Sequence, residues 1–203
     1  EDKYTALNNA AFNSGIFIKI PKNLILDKPI HVISSISPDG TSTISKNIIV
    51  AEQSSKASIV QELYAPKGVK QQAYLELLTV DAQANSNLYM TTFQAMDQSA
   101  VNFSTRNCSV AQDAKINWYL GLFGSMLSRY RTTYSLDGIG AYAEDAEIVF
   151  GDNEQSFDIS ANLIHRKQST EGKVVQRSVL RNKSKSLFKG MIKILEGASQ
   201  SKS

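Results

Sequence analysis

The sequence predicts an all-β protein: short strands wound into a two-faced β-solenoid, with one short helix at the N-terminal end. Three observations carry this reading. Apolar and polar residues alternate over strand-sized stretches for most of the chain. Those stretches recur at a nearly constant spacing, each opened by a small or polar residue. Helical periodicity is confined to the first dozen residues.

Residues 2–13, DKYTALNNAAFN, predict a helix with Tyr4, Leu7 and Ala11 on one face, stopped by Gly15. IFIKIPK reads as a strand ended by Pro21, and PIHVISSI as a second strand. The recurring unit then appears as KASIVQEL, QAYLELLTV, NSNLYMT, QSAVNFS, DAKINWYL, LSRYRTT, DAEIVFG and EGKVVQRSVL. With Ala57, Ala73, Ser86, Ser99, Ala114, Ser128, Ala146 and Gly172 as anchors, the intervals are 16, 13, 13, 15, 14, 18 and 26. The last is close to a double step, and FDISANLIH fills it.

Each unit carries one apolar row, such as Ile116, Trp118 and Leu120, or Ile159, Ala161 and Leu163. Lys115 and Asn117, or Asp158, Ser160 and Asn162, point the other way, because strand side chains have a period of two. A lone unit cannot bury its row, whereas stacked units share a continuous core. Two units per coil give roughly 26 to 32 residues per turn. A sandwich of antiparallel hairpins is the competing arrangement. Tight hairpins favour Asn-Gly and Gly-Gly turns, and here the only pairs of that kind are Asp39-Gly40 and Asp137-Gly138. That scarcity favours the solenoid.

At 203 residues, 42% hydrophobic and 20% charged, the chain suits one well-buried domain over residues 1–203. No stretch has the length and apolarity of a membrane helix. EDKYTALNN lacks the character of a signal peptide and an initiator Met, so the expectation is a fragment or trimmed product. Cys108 is the only cysteine, which precludes an internal disulfide and fits a reducing cytoplasm. One cysteine and two distant histidines give no zinc spacing. The net charge of +3 is too small to imply a polyanionic partner.

GIGAYA, residues 138–143, matches a dinucleotide fingerprint, but a strand follows where a helix should open, so a tight coil between strands explains it better. His165 continues the row Phe157, Ile159, Ala161, Leu163 and reads as an inward or rim histidine held by a backbone hydrogen bond. Neither His165 nor His31 has a triad spacing around it. Arg106 near Cys108 would favour thiolate, although a lone cysteine more often packs as a small hydrophobe. From His165 to Lys193 there are nine Lys/Arg and one acid, a local charge of +8 against −5 elsewhere. Phe188 is the lone aromatic in that run, so a solvated or partner-facing strand surface is expected rather than a nucleic-acid site. A nucleic-acid reading would rest on Lys183, Lys185 and Lys189. Asp97, Asp113, Asp145, Asp152 and Asp158 are placed near turns, where Asp is favoured for backbone reasons. A β-helical carbohydrate-active enzyme built on Asp152 and Asp158 is the alternative function.

DKYTALNNAAFNSGIFIKIPKN, YSLDGIGAYAEDAEIVFGDNEQSFDI and HRKQSTEGKVVQRSVLRNKSKSLFKGMIKI, in that order, resemble the opening, the Leu-x-Gly-x-Gly-Ala stretch and the closing signature of the SufB/SufD family core domain. LFKGMI looks more like the SufD branch. The resemblance implies a right-handed parallel β-helix and a non-catalytic scaffold of iron–sulfur cluster assembly. It implies pairing with a SufB-like subunit or a second copy, and a SufC-type ATPase bound through a helical region absent here. Neither nucleic acid nor membrane is an implied partner. The family's rungs continue past the Gly-x-Ile step, so the core is expected to stop short of the cluster-holding residues. The iron–sulfur cluster is expected in the full complex and not on this chain. His165 matches a recurrent family histidine. Cys108 falls near a cysteine of SufB members, before DAKINW. These two are the candidate site residues, with no catalytic or metal residues expected. An open last rung is expected to associate through its end or an edge strand.

Overall fold

The structure is a computed structural model describing residues 2–36, 40–68 and 70–203. One helix, α1 (Lys3–Ala11), precedes thirteen strands. These are β1 (Phe17–Ile20), β2 (Ile30–Ser35), β3 (Ser42–Ala51), β4 (Lys56–Ala65), β5 (Gln72–Ala82), β6 (Asn87–Met96) and β7 (Ala100–Val110). They continue with β8 (Lys115–Leu122), β9 (Leu127–Leu136), β10 (Tyr142–Gly151), β11 (Ser156–His165), β12 (Glu171–Leu180) and β13 (Lys185–Ile194). Odd-numbered strands form one parallel sheet, even-numbered strands the other, so every connection crosses between sheets. The result is a β-solenoid of about six turns. Parallel crossovers of this kind wind right-handed.

The coil length follows from the register. Ser42 lies beside Ala73, a step of 31, and Val101 beside Leu127, a step of 26. Both fall in the range the spacing predicts. Asp137-Gly138 sits in a crossover from β9 to β10, not in a hairpin. Asp39 of the other pair lies outside the described residues.

The turns that lead into the even-numbered strands account for small polar residues ahead of those units. Asn23, Ser54, Asn85, Asp113, Gly140 and Ser169 occupy equivalent places and all have positive φ, from 54° to 69°. Short polar side chains and glycine tolerate this conformation best. The turns stack: Ser54 N donates to Ala84 O, Asn85 N to Gln112 O, and Asp113 N to Ile139 O, at 2.9–3.0 Å. Gly138 packs flat on the turn below. A Cβ there would lie 1.9 Å from the Gln112 backbone nitrogen. Gly138→Ala is therefore expected to destabilise by about 1–3 kcal/mol or more. Gly190→Ala, where the nearest atom is an ordinary contact at 3.5 Å, serves as the near-neutral control in denaturant unfolding.

Inward rows from both sheets form one continuous core including Ile59, Val80, Leu88, Ile116, Trp118, Tyr134, Phe157 and Ile159. Two expectations need correction. The helix turns Tyr4 and Asn8 inward while Leu7 and Ala11 are exposed. Asn8 is chosen because its amide donates to Ser45 O at 2.8 Å, satisfying a carbonyl that Leu7 would leave bare. The DAEIVFG unit begins four residues earlier than its anchor Ala146, at Tyr142. Its inward row is Ala143, Asp145, Glu147, Val149, and two acids in that row hid it.

Candidate functional site

The interior is not uniformly apolar. Where inward rows of β3 to β10 meet at mid-strand, the side chains are Asn47, Gln61, Glu76, Thr92, Arg106, Trp118, Tyr130, Tyr134, Asp145 and Glu147, all buried. Arg106 has no solvent exposure. Its Nε and Nη2 donate to Glu76 Oε2 at 3.3 Å, and Nη2 reaches Gln61 Oε1 at 3.4 Å. Its guanidinium lies 4.8 Å from the ring centres of both Trp118 and Tyr130. Asn47 and Gln61 donate to the other Glu76 oxygen. Trp118 Nε1 donates to Thr92 Oγ1, which donates to Gln61 Oε1, each at 3.1 Å. A hydrogen-bonded chain thus passes from coil to coil along the axis.

Cys108 is two positions beyond Arg106 on the same inward row, and is buried. Burial pushes its thiol far up, and the negative Asp145 adds to this; the pull of Arg106 is the smaller effect. Arg106 thus serves Glu76, and the thiolate that the sequence spacing invited is not favoured. A thiol reagent is expected to label native Cys108 only at the rate of global unfolding, and at once in denaturant. Rapid labelling of the native state would refute this burial.

Tyr134 OH donates to Asp145 Oδ2 at 2.9 Å. Asp145 Oδ1, both Glu147 oxygens, Arg106 Nη1 and Thr132 Oγ1 are buried without a hydrogen-bond partner. Burial raises both carboxyls, to about 7 for Asp145 and about 9 for Glu147, so as a pair they hold protons that an exposed pair would release. Among the described residues no three His, Cys, Asp or Glu side chains are grouped to hold a metal ion.

His165 ends β11 inside the solenoid. Its Nδ1 and Nε2 lie 2.7 Å from Thr170 Oγ1 and Ser203 Oγ, so hydroxyls, not the expected backbone groups, satisfy it. Burial lowers its pKa. The row of Cys108 continues through Tyr134 and Leu163, while His165 aligns with Leu136 and Val110. The two candidates are therefore two coils apart, about 10 Å, and form no joint site. His31 is exposed, 3.5 Å from Glu62.

The remaining motifs resolve into structure. GIGAYA is the stacked turn into β10, with Gly140 at φ 69°. Asp97 accepts from Ser99 N at 3.0 Å, and Asp113 takes a left-handed turn position. Asp145 and Asp158 are not at turns: one is interior, the other points outward from β11 and pairs with Arg131. Asp152 is held by Asn153 N, Asn182 and, at 3.9 Å, Arg181. In the basic run, Lys173 and Lys183 pair with Glu144 and Glu154, at 3.0 and 3.7 Å. Lys185, Lys189 and Lys193 alternate with Leu187 and Met191 on the outward row of β13.

Residues 32–203 match the SUF system FeS cluster assembly, SufBD core domain family. The chain belongs to the SufBD family. It is 28% identical over 98% of its length to the iron–sulfur cluster assembly protein SufD of Bacillus subtilis, covering 46% of that protein. It is 25% identical over 95% of its length to SufBD family proteins of Staphylococcus haemolyticus and Staphylococcus aureus strain USA300, covering 41% of each. The chain therefore spans under half the length of these SufBD relatives. No helix among the described residues is long and apolar enough to cross a membrane.

The Arg106–Glu76–Asp145–Glu147 cluster is what sequence reasoning missed in this SufBD core. Its signal was a charged residue in phase with an apolar row: Arg106 with Cys108 and Val110, Asp145 and Glu147 with Ala143 and Val149.

Proposed function

We propose that this chain is the β-helical core of a non-catalytic scaffold subunit, of the SufD branch, in an iron–sulfur cluster assembly complex. The carrying observation is the SufBD core match over most of the chain, on a parallel β-solenoid. The cluster is the cargo of the full complex rather than a group held by this chain. The partner is a SufB-like subunit or a second copy, and a SufC-type ATPase engages a region outside these residues.

The test uses the full-length protein co-expressed with SufB-type and SufC-type subunits. Co-elution of all three is the expected result, together with weak SufC retention by the 203-residue chain alone. A full-length protein that elutes as a lone monomer in the presence of both would sink the reading. So would hydrolysis of an acidic polysaccharide that is lost when Asp152 and Asp158 are both changed to Asn.

A further inference from the structure

The two sheets differ in what covers their outer faces. Across β3, β5 and β7 lies α1, running from coil to coil. Asp2 pairs with Arg129 of β9, Tyr4 stacks on Phe103 of β7 at 4.5 Å, and Asn8 bonds Ser45 of β3. Beneath it the outward side chains Leu75, Leu77 and Val101 are buried. Nine helical residues rise about 13.5 Å, and the three strand spacings from β9 to β3 come to about 14 Å. A short helix along the axis is how this solenoid covers a face.

The even-numbered sheet has an equally apolar outer face with no such cover among the described residues. Phe93, Tyr119, Phe123 and Ile148 stand outward and exposed. In register, Gly121 sits between Phe93 and Ile148, and these residues line a groove of about 290 Å³. Phe123 leans over Gly121 and against Phe93, with ring centres 5.1 Å apart. Outward rows are not apolar by default: β9 carries Arg129, Arg131 and Thr133, and β11 carries Asp158, Ser160 and Asn162. Arg177 of β12, next to Ile148 in register, borders the groove. Arg177 has no ion pair among the described residues, whereas its neighbour Lys173 is neutralised by Glu144 at 3.0 Å.

We propose that this groove docks a short amphipathic helix of a partner protein, apolar on one face and bearing a carboxylate where it meets Arg177. The groove crosses β6 to β12, again about 14 Å, which fits about nine helical residues. The free guanidinium selects acid at that end and favours the helix C-terminus there, where the dipole is negative. The same charge argument disfavours α1 of a second copy, since KYTALNNAA contains no acid. The inference stands on this geometry and not on the assembly role.

The probe is a phage-displayed library of single-helix peptides selected against the 203-residue chain, with anisotropy measured on the winners. Expected winners carry apolar residues at i, i+3, i+4 and i+7 and Asp or Glu at the C-terminal end. Ile148→Arg should weaken them by about tenfold or more, and Arg177→Glu should reverse the preference from acidic to Lys-bearing peptides. Ile148 is 56% exposed, so its variant should keep the wild-type circular dichroism and melting temperature. Four results would overturn the proposal: no enrichment; winners indifferent to Ile148→Arg; a dimer in sedimentation that Ile148→Arg dissolves; or binding through this face to phosphatidylserine vesicles instead of peptides.

Discussion

Arg106→Met is expected to lower the stability of the solenoid by about 3–5 kcal/mol, the usual cost of leaving one charge of a buried pair alone. The charge left behind is Glu76, which like Arg106 has no solvent exposure. The loss should come from that stranded carboxylate more than from missing contacts, because Met fills much of the space against Trp118 and Tyr130. Adding Glu76→Gln separates the two causes. Glutamine keeps the reach and can still bond Asn47 and Gln61, but carries no charge. The double variant should therefore regain a large part of the lost stability in urea unfolding. If the second substitution deepens the loss by its own single-variant amount, the pair is not coupled and the charge argument fails.

Stability is also expected to fall as pH rises from about 5 to about 9. Asp145 and Glu147 keep protons in the folded chain, up to about 7 and about 9, because burial disfavours their charged forms. The unfolded chain releases the same protons near the ordinary carboxylate range. The native state thus binds more protons over this interval. Its stability is full below the unfolded values, declines through the folded ones, and then levels off, with a slope of at most about 1.4 kcal/mol per pH unit for each proton retained. His165 works the other way: held neutral by burial, it weakens the fold as pH drops below its ordinary range. Urea midpoints across the interval check the sign. Glu147→Gln should flatten the upper part of the curve, since an amide has no proton to lose. A midpoint that climbs towards pH 9 would show that the pair is ionised in the native state.

The amino-acid order alone determined the architecture. Alternation at period two marks the strands, positive-φ turn positions call for Asn, Ser, Asp or Gly, and both signals are local enough to read from a short window. From them came the two-faced coil and its length, while the helix was legible from its own spacing and the family from a resemblance of motifs in their order. Only the tertiary structure decided what the coil encloses. Glu76, Arg106 and Asp145 are some 30 to 70 positions apart, and a coil of 26 to 31 residues makes them neighbours. Asp145 looks like a turn residue in sequence, because acids inside a core make sense only beside the partners that burial supplies. Cys108 and His165 show the converse. Their residue types suggested chemistry, but register places them two coils apart, each enclosed by its own rung, because stacking sets neighbours by coil and row and not by residue type.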